Sequence, residues 1–105
     1  MGEITVTRDN FYDEVINSDI PVVVDFHAVW CGPCQNMSPV IHNLAQEFEN
    51  KYKVAKVDID AESEIAEEYK VMSVPTIKIF KNGTVMASAV GILSRNEILD
   101  MLGKW

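Results

Sequence analysis

The chain has 105 residues, 48% hydrophobic and 24% charged, with a formal net charge of −7. That length and apolar content suit one compact domain over residues 1–105. The acidic balance excludes the basic face needed for nonspecific binding to nucleic acid or anionic membranes.

The N-terminal residues Met1 to Thr5 lack the basic region and apolar core of a secretion signal. Val6 stands where a myristoylation signal requires Ser or Thr. No apolar run approaches the ~20 residues of a membrane span. A cytoplasmic monomer is the expectation. Ile4, Thr5 and Val6 form a short strand candidate. Asp9 is placed to cap a helix over residues 9–17, with Phe11, Val15 and Ile16 facing inward.

Residues 22–26 are nearly all β-branched or aromatic and read as a strand buried on both faces. Asp25 stands out there, because an ionised carboxylate is costly to bury unpaired. Trp30-Cys31-Gly32-Pro33-Cys34 follows and opens a helix to about Glu49. Met37, Val40, Ile41, Leu44 and Phe48 recur at helical spacing, and Pro39 inside the run predicts a kink.

Residues 54–58 form another strand, and residues 63–69 a helix capped near Asp60. Residues 76–80 alternate apolar and polar. Asn82-Gly83 is the strongest hairpin signal, returning residues 84–90 antiparallel until Gly91. Ser94 and Glu97 have capping-box spacing, ahead of a helix with Ile98, Leu99 and Leu102 on its apolar side. The order β-α-β-α-β-α-β-β-α predicts an α/β fold. Its single mixed sheet, of parallel βαβ units plus a C-terminal antiparallel hairpin, has helices on both faces.

Cys31 and Cys34 are the only cysteines. A helix opening at Cys31 surrounds that sulfur with unpaired amides at the positive end of the helix dipole, which favours thiolate. Pro33 suits the first turn, where its missing amide costs nothing. Cys34 lies one turn on, predicted to be more buried and less acidic. Cys31 is thus the candidate nucleophile for a substrate disulfide and Cys34 the resolving thiol. A purely structural disulfide is the poorer account. Chain entropy gives a four-residue loop about 1.9 kcal/mol, against about 4.7 for a 100-residue loop. Zinc could recruit Cys31, Cys34, His27 and His42, but rigid elements separate these ligands. Asp25 is either a core group paired with Lys56 or a proton acceptor. Burial raises its pKa, and it could take the proton of Cys34 through a water. Lys56 joins it in the candidate catalytic set. Before residues 76–80, Pro75 is either a trans residue opening a strand or a cis one. The acidic run Glu62, Glu64, Glu67 and Glu68 reads as a solvated face, and the five methionines as core fillers.

The chain resembles the thioredoxin family over essentially its whole length. The likeness rests on Trp30-Cys31-Gly32-Pro33-Cys34, Asp25-Phe26, Pro39, Lys56-Val57-Asp58, Val74-Pro75-Thr76, Phe80-Lys81-Asn82-Gly83 and Gly91, in family order. The resemblance implies a thioredoxin fold, a cis Pro75 beside the cysteines, and a Val74 backbone that pairs with an extended substrate. It implies an apolar docking surface from Trp30, Gly32, Pro33, Val74, Pro75 and Gly91. The implied activity is general reduction of protein disulfides. An NADPH-dependent flavoprotein, thioredoxin reductase, would recharge the chain, with no bound cofactor or metal. A dedicated donor to one enzyme and a non-catalytic binding module are the other readings. The chain departs from the family's usual residues at His27, Val29 and Gln35. His27 is the candidate tuning residue: protonated, it would favour the Cys31 thiolate and ionised Asp25.

Overall fold

The computed structural model describes residues 2–103. Its strands are β1 (Ile4–Thr5), β2 (Val22–His27), β3 (Lys53–Asp58), β4 (Thr76–Lys81) and β5 (Thr84–Val90). They form one mixed sheet in the order β1-β3-β2-β4-β5. β3 runs parallel to both β1 and β2, and β5 antiparallel to β4. A further antiparallel pair joins β2 to β4, with Phe26 opposite Thr76. β4 therefore starts at the end of the sheet where β2 finishes.

The helices are α1 (Gly32–Glu47), α2 (Ser63–Glu68) and α3 (Arg95–Leu102). Alternation along β2 divides the core between the two faces. Val23 packs with Met37, Ile41 and Leu44 of α1, and with Ile98 and Leu102 of α3. Val22, Val24 and Phe26 pack on the other face with Val15 and with Ile65 of α2. Each such fully buried side chain contributes about 1.5–3 kcal/mol over an exposed one. Asp25, two residues beyond Val23, shares the face covered by α1. The α1 helix continues through Pro39.

Two predicted caps differ from those observed. The first helical segment is a π-helical turn, Tyr12–Ile16, with Asn17 N donating to Tyr12 O. Asp9 does not cap it. The Thr7 carbonyl accepts from Asn10 N and Phe11 N, and Asn10 Oδ1 accepts from Thr7 N. These short-range bonds satisfy the amides that a longer helix would have used. At α2 the N-cap is Glu62, with no side-chain cap bond. Asp60 does not cap the helix, and its own amide and that of Ala61 donate to Asp58 Oδ1 in the turn before it. The hairpin forms as its sequence predicts, with positive φ at Asn82 (53°) and Gly83 (79°).

Candidate active site

β2 ends at His27, and the chain turns through Ala28, Val29 and Trp30 into α1. Cys31 is the N-cap of that helix. Its sulfur accepts a hydrogen bond from Cys34 N at 3.1 Å, the place an oxygen side chain ordinarily takes. Cys31 and Cys34 form a disulfide with their Cα atoms 5.3 Å apart. A sulfur so placed faces the orphan amides and the positive dipole end, which stabilise negative charge on it.

The two cysteines are both buried, Cys31 at 3% exposure and Cys34 at 6%. The order predicted from helix position, with Cys34 the deeper, does not hold. The reason is tertiary: Ala28, Ile59 and Val74 pack around the pair. Ile59 comes from the far end of β3, and no spacing in the sequence points to it.

Val74 reaches the cysteines, with Pro75 next to it in the chain, because β4 begins beside the end of β2. The Val74–Pro75 peptide bond is cis. Gly91 has φ +102°, and its amide donates to Pro75 O at 2.9 Å, which ties the segment after β5 to this corner. Gly32 and Pro33 are exposed in the first turn of α1. Trp30 is 67% exposed and its Nε1 donates to Asp60 Oδ2 at 2.8 Å, which holds the indole in place. Val29, Met72 (92% exposed), Val90 and Ile92 are further large apolar side chains left in solvent. Sequence reasoning missed Met72 and Ile92 as surface groups, since a lone apolar residue in a loop carries no signal of exposure.

Beneath α1, Asp25 is 1% exposed, and its Oδ1 has no hydrogen-bond partner. Its pKa is pushed up to about 6, chiefly by burial and further by the charge of Glu3, while Lys56 opposes the rise. Lys56 stands opposite Asp25 in the β2–β3 register. No ion pair joins the two among the described residues, so the bland reading of a satisfied core pair fails. His27 is half-buried and stands opposite Asp58. Burial and the Lys56 charge lower its pKa from the ordinary 6.5, against a smaller opposing effect of Asp58. The shift favours the neutral imidazole at neutral pH.

His42 is not brought to this site. It lies about 12 Å along α1 from Cys34 by helical rise, and its Nδ1 is 3.0 Å from Glu3 Oε1. Among the described residues, no group of three or more His, Cys, Asp or Glu is arranged to hold a metal ion. Glu62 and Glu64 both engage Arg8, at 2.9 Å from its amide and 3.0 Å from its guanidinium.

A family model described as Thioredoxin matches residues 2–104. A thioredoxin of Rickettsia felis is 43% identical over 99 residues, 94% of this chain and 94% of the relative. One from Porphyra purpurea is 43% identical over 105 residues, covering 100% of this chain and 98% of the relative. Thioredoxin 1 of a Nostoc species is 42% identical over 94% of this chain and 92% of its own.

Proposed function

The chain belongs to the thioredoxin family and carries its dithiol–disulfide exchange at Cys31 and Cys34, and from that premise we propose a general protein-disulfide reductase of the cytoplasm, active as a monomer. Substrates are disulfide-containing proteins. Cys31 attacks one sulfur of the substrate disulfide; a mixed disulfide forms and the first substrate thiolate leaves. Cys34 then attacks Cys31 Sγ, the bond to the substrate breaks, and the second thiolate departs. The chain ends oxidised and the substrate reduced by two electrons.

The observation that carries this reading is the Cys34 N to Cys31 Sγ bond at the start of α1. The same electrostatics that let sulfur cap the helix lower the cost of a Cys31 thiolate. Asp25 acts as the buried base on which the Cys34 proton ends, and a pKa of about 6 leaves it ionised at neutral pH. Lys56 counters its charge. Trp30, Gly32, Pro33, Val74, Pro75 and Gly91 form the docking surface, where an extended substrate pairs with the Val74 backbone. Thioredoxin reductase, drawing on NADPH through its flavin, returns the disulfide to the dithiol. The test is insulin reduction coupled to NADPH and a thioredoxin reductase. Turnover by the native chain and none by Cys31→Ser is the expected outcome. Insulin left intact while a single cellular partner is reduced fast would replace the general role with a dedicated one.

A further inference from the structure

The resolving step needs a path for the Cys34 proton, and the surroundings of Asp25 do not supply one by themselves. Two surface clefts meet at His27. The first, about 280 Å³, is lined by His27 together with Cys34, Gln35, Ser38 and Lys56. The second, about 300 Å³, is lined by His27 with Thr5, Thr7, Lys56, Asp58 and Glu62. Most of the lining of each is apolar, but both open to solvent, are roomy enough for several waters and carry the hydrogen-bonding side chains just named. Asp25 lines neither cleft, and its Oδ1 is buried without a partner.

Among the groups that share the first cleft with Cys34, the Lys56 ammonium has only donors and cannot accept a proton. The Gln35 amide and the Ser38 hydroxyl are too weakly basic to hold one near neutral pH. The His27 imidazole can accept, and it alone of these bases also faces the second cleft. It sits two residues beyond Asp25 on the same face of β2, about 7 Å along the strand.

We propose that His27 is the proton relay of this site, carrying the Cys34 proton to Asp25 during resolution and returning it to solvent through the cleft of Asp58 and Glu62. The proposal rests on the exchange reading above. Cys34 gives its proton through a cleft water to neutral His27, which hands it by water to ionised Asp25. The Cys34 thiolate forms its bond to Cys31 Sγ as the Cys31–substrate bond breaks, and the substrate thiolate leaves with the electron pair and is protonated by solvent. Before the next cycle Asp25 returns its proton through His27 to the second cleft. The charges facing the ring balance this traffic. Lys56 on β3 and burial disfavour a lasting imidazolium, while Asp58 on β3 and Glu62 ahead of α2 favour its brief formation, as does Asp25 on β2 itself when ionised. The α1 side presents only Cys34 and the uncharged Gln35 and Ser38, and the β1 side the uncharged Thr5, Val6 and Thr7. His27 is thus a carrier and not a resting store.

The test separates capture from resolution. The reduced chain is mixed with excess 5,5′-dithiobis(2-nitrobenzoate) in a stopped-flow instrument. The first release of nitrothiobenzoate scales with reagent and reports Cys31 attack; the second is independent of reagent and reports Cys34. In His27→Gln the second release should slow by roughly fivefold or more at neutral pH. The first should stay within about twofold of the native chain. Free imidazole should restore the second release, and the deficit should close at alkaline pH, where hydroxide takes the Cys34 proton without a relay. His27→Trp, the residue usual in the family, should show the same loss and decides the matter if the Gln variant does not fold. A smaller slowing, or one that persists at alkaline pH and ignores imidazole, overturns the relay. Absence of the first release in the native chain would instead overturn the exchange reading beneath it.

Discussion

The helices α1 and α3 start with the same kind of bond made by different atoms. At α3 the Ser94 hydroxyl accepts from Glu97 N at 3.2 Å, and the Glu97 carboxylate accepts from Ser94 N at 2.9 Å. At α1 the Cys31 sulfur accepts from Cys34 N at 3.1 Å. Both cap residues have extended backbones, with φ −78° at Ser94 and −87° at Cys31. The α3 box is closed: a permanent anion in its first turn complements the dipole. The first turn of α1 contains no acidic residue. Its dipole end is left for the sulfur, so a Cys31 thiolate is the anion that completes the cap. One start is built for stability. The other holds its electrostatic gain in reserve for a reactive state.

Cys31→Ser gives the largest effect and the sharpest break of that contrast. Serine is a good cap, so α1 should survive within about 1 kcal/mol in urea unfolding of the reduced protein. Insulin reduction should fall to background. A variant that kept native turnover would show that Cys31 is a cap and nothing more.

Asp25→Asn comes next. A pKa raised from 3.8 to about 6 means the folded state binds this proton more tightly than the unfolded one. The stability linked to it is fully present below 3.8 and is lost as pH rises through about 6. At neutral pH the loss amounts to about 3 kcal/mol, at ~1.4 kcal/mol per unit. The amide cannot ionise, so the variant should be more stable than the native chain by about that much at neutral pH. The gain should vanish near pH 3.8. Equal unfolding midpoints at neutral pH would show that Asp25 is satisfied after all.

Ser94→Ala should cost about 1 kcal/mol and leave disulfide exchange untouched, since it opens a cap remote from the cysteines. The smallest change belongs to Glu97→Gln. The bonds from Ser94 lower the Glu97 pKa, so its contribution is present above the ordinary value of 4.5 and fades as pH falls through the lowered one. The Gln variant should lose that acid-side dependence in unfolding titrations. An unchanged pH profile would mean the box acts by geometry alone.

Much of this was legible from neighbouring residues. Asn82-Gly83 dictates its turn because few residues other than Gly and Asn tolerate positive φ. Ser94 and Glu97 reach one another across three residues, and the Cys31-to-Cys34 spacing brings two sulfurs together over one helical turn. The core faces of α1 and β2 follow from periods of 3.6 and 2. The caps of the π-helical turn and of α2 were misread because both segments start without a side-chain cap bond. Asn10 and Asp58 instead take amides of the turns that precede them, and spacing does not show which acidic or amide side chain a turn will use.

What the sequence by itself determined is the set of local structures and the reactive pair, since each depends on atoms a few bonds apart along the chain. Only the tertiary structure decided what surrounds that pair. The antiparallel seating of β4 on β2 delivers Val74 to the cysteines, and the end of β3 delivers Ile59. The covering helix α1 removes water from Asp25 without giving it a partner. Desolvation and packing depend on residues that are distant in sequence and meet only when the sheet closes. The exposure of Cys31 and the acidity of Asp25 could therefore be settled there alone.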